Sequence, residues 1–309
     1  MGKDFVDIEA VDWSHCLRPE FTAGIIHSLI NRRISLNLIG AKGTGKSRLC
    51  EDICRCRLAG VRVVYVDLKS YVNAYGGLLR EIRQQLKVEG EMPARVGRLF
   101  ERLERRKTRH VLLLDNYDAL LDNPKMDGAY DVEFFDDLNA IKSKDNVSLL
   151  CTSRCAHNTL PVFIDRQSYR NSWLTLEKEH LPALTKVQVT VELKRQVNES
   201  HRQWLENTPD DRDKLTATIL KHPMPYALLG TLARQIDLQD EQEWNLKFKR
   251  RLKRWLKTFN RDNRPGLNKK IHLFRQKVDG KRIAFGDPKP KIPIFSFLSS
   301  LIKKKMGIE

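Results

Sequence analysis

The sequence predicts an α/β fold: a parallel sheet of the phosphate-loop (P-loop) NTPase type with helices on both faces, then a helical lid domain and a basic C-terminal extension. Three observations predict it. Gly40-Ala41-Lys42-Gly43-Thr44-Gly45-Lys46-Ser47 is a complete phosphate-binding loop, set between the apolar run Ile34–Ile39 and a helical segment at Arg48–Leu58. That is the strand-before, helix-after context the motif requires. Strand-like runs and helical segments alternate after the loop, and a second apolar run, Val111-Leu112-Leu113-Leu114, ends in Asp115.

Taken in order, Pro19–Arg32 places Phe21, Ile25, Leu29 and Ile30 at helical spacing, a lid or docking helix leading into the first strand. After the loop helix, Val61–Asp67 is β-rich and ends in a carboxylate. Helical segments at about Val72–Val88 and Ala94–Lys107 precede a strand at His110–Asp115. A helix at about Asp131–Ser143, a strand at Val147–Thr152 and a fifth strand at Trp173–Glu177 complete the alternation. From about Leu184 helical periodicity takes over, at Val187–Glu206, Asp211–Lys221, Pro225–Gln235 and Glu241–Phe259. Past Phe259 the chain is basic and broken by Arg264-Pro265-Gly266 and Asp287–Pro293, the composition of an extended or partner-ordered tail. These changes divide the chain into a nucleotide-binding α/β domain at 1–183, a helical lid at 184–259 and a tail at 260–309.

The loop's chemistry follows from its glycines. They let the backbone of Gly40, Ala41, Lys42, Gly43, Thr44 and Gly45 curl so that successive N–H groups face the phosphates, at the positive end of the following helix. Lys46 then reaches the β and γ phosphates and Ser47 holds Mg²⁺. Asp115, closing a buried-type strand, is the expected carboxylate that orients Mg²⁺ through its water shell. No Asn/Thr-Lys-x-Asp guanine-reading motif is present, which favours ATP.

The Val61 strand lies in sequence between the loop strand and the Asp115 strand, and a later strand ends in Thr152-Ser153-Arg154. This arrangement resembles the AAA-like division of P-loop ATPases, most of all the STAND signal-transduction ATPases with archaeal-type and origin-recognition-like relatives. The resemblance covers about residues 19–236. It implies that Arg154 serves the γ-phosphate and that a Gly-x-Pro motif in the helical region reports the nucleotide state. His222-Pro223-Met224-Pro225 is similar, with Pro225 matching the family proline and Pro223 standing where its glycine is usual. Arg166 and Arg170 follow the Thr-Ser-Arg strand, where such residues in this class complete a neighbouring subunit's site; a homo-oligomer is implied if they do, and a solvated pair if they do not.

One departure bears on catalysis. The family places an acid directly after the metal-orienting Asp, and this chain has Asn116. An amide cannot accept a proton, so a general-base contribution of about 10² to 10⁴ in rate is missing there. Asp118 is the nearest substitute acid and Asp67 a second. ATP binding with slow or partner-stimulated hydrolysis is expected.

The net charge of +17 is concentrated: residues 245–309 hold 20 Lys and Arg against 4 Asp and Glu, leaving the preceding chain near neutrality. Phe248, Leu252, Trp255, Leu256 and Phe259 recur at helical spacing, with Lys247, Lys249, Arg250, Arg251, Lys253, Arg254 and Lys257 between them. Three readings are open: a helix docked by its aromatic stripe, a nucleic-acid element that Lys269 and Lys270 would extend, and an anionic membrane surface aided by Ile294–Ile302 and Lys303-Lys304-Lys305. No base-reading module is found, so double-stranded DNA would be held through its phosphates. Ile294–Ile302 also fits a short segment docking into a protein partner.

The six cysteines fit neither a C-x-x-C pair nor a two-pair zinc pattern, and Cys50 and Cys54 read as small core residues on one helix face. The eight histidines offer no metal-ligand pair on one helix face. Asp131, Glu133, Asp136 and Asp137 read as a solvated helix face. With no signal-peptide pattern and no apolar run near the roughly 18 residues of a membrane span, a cytoplasmic location is expected. The functional expectation is an ATP-dependent switch that engages DNA, as a transposition- or replication-type regulator does. The alternatives are a switch subunit gating a partner effector in a prokaryotic defence system and a membrane-surface ATPase.

Overall fold

A computed structural model describes residue 6 and residues 11–103, 108–121, 123–165, 167–170, 174–238 and 244–264, the side chains of 244–247 excepted. The chain divides into two compact units, 1–255 and 256–309.

Five parallel strands form the sheet: β1 (Leu36–Ile39), β2 (Val61–Asp67), β3 (Arg109–Asp115), β4 (Val147–Ser153) and β7 (Glu177–His180), in the order β2-β3-β4-β1-β7. The strand lying between the loop strand and the Asp115 strand in space is therefore β4, and the Val61 strand that separates them in sequence is displaced to an edge. Parallel strands need crossovers, and the helices that make them cover both faces. Alternation along β3 shows this: Leu112 and Leu114 enter a core with α3 (Tyr75–Leu86), α4 (Val96–Glu101) and α5 (Val132–Lys142). Val111 and Leu113 point the other way, into a core with α1 (Pro19–Ile30) and α2 (Lys46–Arg55).

The lid consists of α6 (Lys186–Gln196), α7 (Glu199–Asn207), α8 (Pro209–Leu220) and α9 (Pro225–Asp237). The single helix expected over Val187–Glu206 is two. Val197 is extended at φ −99°, and Asn198 restarts the chain by accepting a hydrogen bond from His201 N at 2.9 Å, an N-cap that competes well with helix continuation. A basic helix, α10 (Trp244–Asp262), follows.

Two strand expectations are corrected. The fifth strand lies at Glu177–His180, not Trp173–Glu177: it is a largely exposed, charged edge with no apolar alternation to announce it, while the buried Leu174 and Leu176 belong to the segment before it. A short antiparallel hairpin, β5 (Val162–Ile164) with β6 (Gln167–Tyr169), was not foreseen; Asp165 turns it at φ 50°. The expected tail at 265–309, including Lys269, Lys270 and Ile294–Ile302, lies outside the described residues, as do Arg166 and Trp173. Among the described residues no helix is long and apolar enough to cross a membrane.

Candidate nucleotide-binding site

In a parallel sheet the strands all end at one edge, where ligands bind. Register sets what meets there. Ile39 of β1 lies opposite Ser153 of β4, and Asp67 of β2 opposite Asp115 of β3. The phosphate loop, both strand-end carboxylates and the Thr152-Ser153-Arg154 turn therefore share one edge.

The loop adopts a left-handed backbone at Gly43 (φ 74°) and Gly45 (φ 100°), conformations that glycine accepts without steric cost. A Cβ added at Gly43 would lie 2.7 Å from Met224 Cβ, so the lid already occupies that side. The Gly43 carbonyl accepts from Tyr226 N at 2.9 Å and Ala227 N at 3.1 Å, the otherwise orphaned donors in the first turn of α9. Pro225 stands at the first position of that helix, next to the residues that meet the loop. The Thr44 carbonyl accepts from Arg18 Nη2 at 2.9 Å, while Arg18 Nε donates to the Pro182 carbonyl at 3.1 Å. Burial lowers the Arg18 pKa to about 10.

Lys46 is buried, and its ammonium donates to the carbonyls of Gly40 at 2.6 Å and Ala41 at 3.1 Å. Burial lowers its pKa, with Asp118 and Asp115 opposing. Ser47, half-buried, begins α2 beside it. Asp115 is buried and accepts from the Thr152 hydroxyl, from Tyr65 OH at 3.3 Å and from Asn116 Nδ2 at 3.2 Å. Burial, aided by Asp115, pushes the Tyr65 phenol well up, so it stays a donor.

Asn116 sits in the left-handed region at φ 56° and ψ 40°, which Asn tolerates better than most side chains. Its amide bridges Asp115 and Asp67, donating to Asp67 Oδ1 at 2.9 Å. A carboxylate at that position would face two others, which gives the departure from the acidic pattern a local reason. Asp118 is buried and ion-paired with Arg154, whose side chain is 49% exposed. The candidate base and the candidate γ-phosphate arginine are thus partners in this arrangement.

The residues fit a magnesium triphosphate. A glycine cradle with left-handed turns, a buried ammonium held only by loop carbonyls, and a desolvated carboxylate at the facing strand end are the donor set such a ligand requires.

A second network of hydrogen bonds was not legible in the sequence. Arg48 donates to Asp52 Oδ1 at 2.8 Å, to His15 O at 2.9 Å and to Tyr226 OH at 3.3 Å, and pairs with Glu192 of α6. Burial works against its charge, but Tyr226, Asp52 and Glu192 outweigh that and hold its pKa above the ordinary value. Only the Arg48–Asp52 pair has a local, i,i+4 spacing; His15, Glu192 and Tyr226 lie far from it along the chain, so no spacing betrays them.

The remaining candidates separate clearly. In α10, Lys249, Arg250, Lys253, Arg254 and Lys257 are exposed and Arg251 is half-buried. Phe248 and Leu252 are buried, with the Phe248 ring 5.5 Å from that of Trp204 in α7. The Lys247 side chain lies outside the described residues. Arg170 is exposed beyond β6. Asp131 caps α5, and Glu133 and Asp137 pair with Arg95, so this acidic group is structural. Cys50 is buried as expected, but Cys54, also expected in the core, is exposed.

A family profile described as AAA domain matches residues 31–156. No curated protein matches the chain. Among solved structures, the Walker-type ATPase of Pyrococcus abyssi is similar at 14% identity and a TM-score of 0.52, over 92% of this chain and 88% of that one. The ORC1 protein of Aeropyrum pernix in complex with DNA gives 20% identity and a TM-score of 0.45, over 71% of this chain and 58% of that one. Drosophila ORC bound to DNA gives 16% and 0.40, over 75% and 56%. The chain thus spans somewhat over half the length of these two ORC chains. The strand order, the site at the sheet's carboxyl edge and the profile agree: across residues 31–156 the chain carries an AAA domain of the P-loop ATPase type.

Proposed function

We propose that the protein is an ATP-dependent switch whose nucleotide state sets the engagement of the lid, and that its basic α10 helix binds the phosphate backbone of double-stranded DNA. The observation that carries the switch is the hydrogen bonding of Tyr226 N and Ala227 N to the Gly43 carbonyl, which places the lid one peptide away from the phosphate-binding backbone. A ligand that reshapes the loop acts on those bonds directly, and it shifts the lid by its differential affinity for the two arrangements.

With nucleotide bound, Lys46, now on the carbonyls of Gly40 and Ala41, would hold phosphate oxygens, and Arg154, now on Asp118, would hold the γ-phosphate. Ser47 and Asp115 would hold Mg²⁺, the latter oriented by Thr152, Tyr65 and Asn116. Bound Mg²⁺ supplies neutralisation of charge on the β and γ phosphates. Release of Asp118 from Arg154 would free a carboxylate near the site, which supports slow hydrolysis coupled to rearrangement.

The DNA half rests on charge and exposure. Lys249, Lys253 and Lys257 recur every four residues, as do Arg250 and Arg254, so both rows run along the exposed side of one helix. Phe248 and Leu252, two residues of the apolar stripe, are buried, which supports docking of that part of the helix with its cations turned outward. Neutralising phosphates releases counterions and gives salt-dependent, sequence-tolerant binding.

ATP turnover with and without double-stranded DNA, at low and moderate salt, tests both halves. Tight nucleotide binding with little basal turnover, and DNA stimulation that fades with salt, is expected. DNA binding indifferent to charge reversal in α10 would overturn the DNA half, and nucleotide affinity unchanged in Lys46→Ala would overturn the switch.

A further inference from the structure

Away from the phosphate loop, three soft ligand atoms converge. His15 and Cys16 lie just before α1, and Cys56 caps the carboxyl end of α2. His15 Nε2 is 3.5 Å from Cys16 Sγ and 3.8 Å from Cys56 Sγ, and all three ligand atoms fall within 4.8 Å of one another. With Zn–S near 2.3 Å and Zn–N near 2.0–2.1 Å, the edges of a tetrahedral site are about 3.5–3.8 Å long, so a zinc-sized gap exists between these atoms. Cys16 is 2% exposed and Cys56 8%, while His15 is half-buried and leaves a path of entry.

The surroundings hold the ligands in place. The His15 carbonyl accepts from Arg48 Nη2 at 2.9 Å and from Arg195 Nη1 at 3.2 Å, and the Cys16 carbonyl accepts from Arg195 Nη1 at 3.3 Å. Leu17 N donates to Asp52 Oδ2 at 2.9 Å. Fixing the ligand backbone in advance is what outer hydrogen bonds do at metal sites. The Asp52 carbonyl lies 3.2 Å from both His15 Nε2 and Cys56 Sγ, on one side of the triangle.

We propose that His15, Cys16 and Cys56 bind one zinc ion, with a water or another exogenous donor in the fourth position. Two sulfurs and one imidazole nitrogen select a borderline-soft cation over Mg²⁺ or Ca²⁺. On binding, each S–H bond breaks, its proton passes to solvent, and the sulfur lone pair bonds the metal, so affinity falls as pH is lowered. The ion clamps residues 15–17 to the end of α2. Arg48 and Arg195 hold the same segment and both touch Glu192 of the lid, so zinc stiffens the join between loop helix and lid.

The full chain, purified under reducing conditions, is assayed for zinc by elemental analysis and by competition with a chromophoric chelator. About one equivalent per chain is expected, lost in Cys16→Ser and in Cys56→Ser, weakened at least tenfold in His15→Ala and retained in Cys54→Ser, since Cys54 is exposed. Cobalt substitution of the unaltered chain, which needs no variant to fold, is expected to give the thiolate-to-metal charge-transfer band. Absence of stoichiometric zinc, a cobalt spectrum without that band, or a Cys16–Cys56 disulfide that zinc does not prevent would each overturn the proposal.

Discussion

Arg48, in the helix that follows the phosphate loop, and Glu192, 144 positions later in the lid, form an ion pair that excludes solvent, at 7% and 1% exposure. Neither charge has an alternative in water. Glu192→Ala leaves the guanidinium buried beside Asp52 alone, and breaking a buried pair from one side costs about 3–5 kcal/mol. Urea unfolding is expected to show a loss of that size, and Arg48→Met combined with Glu192→Met is not expected to recover it, because the buried Asp52 then loses its guanidinium partner. A loss below about 1 kcal/mol in Glu192→Ala would show the pair to be solvated.

Lys46→Ala removes the ammonium that the phosphates need but also a buried cation that burial already disfavours. Its two carbonyl partners lose donors and its solvation penalty disappears, and the effects offset. Affinity for a fluorescent ATP analogue is expected to fall by at least about 10²-fold while the unfolding free energy stays within about 1 kcal/mol. Equal collapse of both would mean that the lysine is structural.

At Gly43 the backbone sits at φ 74° and a Cβ would meet Met224 Cβ at 2.7 Å. Gly43→Ala combines a left-handed penalty of about 1–2 kcal/mol with overpacking of about 1–3 kcal/mol. The lid can relieve the clash by withdrawing, which breaks the bonds to Tyr226 N and Ala227 N. Protease cleavage in the segment joining α8 to α9 is expected to speed up. An unchanged digestion rate would place Met224 as passive packing.

Asn116→Glu restores an acid where turnover needs one, against a left-handed backbone and two neighbouring carboxylates. Phosphate release is expected to rise by about 10²-fold despite a cost in stability of about 1–2 kcal/mol. If ATP affinity holds and the rate does not move, another feature limits hydrolysis.

Neutralising Lys249, Lys253 and Lys257 together removes one exposed row of α10. The slope of log affinity for DNA against log salt is expected to become shallower by nearly one for each phosphate that is no longer neutralised. Nucleotide binding, tested in the same variant, is expected to stay level.

The strands nearest the site were readable because each is a run of apolar residues ending in a polar one: Val61–Asp67 has the bounds expected, and β3 and β4 differ from expectation by one residue. What escaped has physical causes. The edge strand Glu177–His180 carries charges because one side meets solvent, so burial left no imprint on it. The break at Val197–Asn198 rests on a favoured capping residue whose signal is masked by helical spacing that continues on both sides of it. The role of Asp118 was half legible: its acidity near Asp115 showed, but its pairing with Arg154 depends on β4 lying beside β3, which sequence order conceals. Apart from the i,i+4 pair Arg48–Asp52, the Arg48 and His15 networks join residues far apart along the chain, and only folding brings them together.

The insertion of β4 between β1 and β3 gives the site a built-in gauge. Gly40 N bonds the Ser153 carbonyl at 3.1 Å on one flank, and the Thr152 hydroxyl reaches Asp115 on the other. Two strand spacings, about 9–10 Å, therefore separate the loop's strand from the carboxylate's. Under the proposed function, a ligand long enough to touch both margins would tie them through a single rigid strand, and one that had lost its outermost group would leave one margin empty while the other stayed filled.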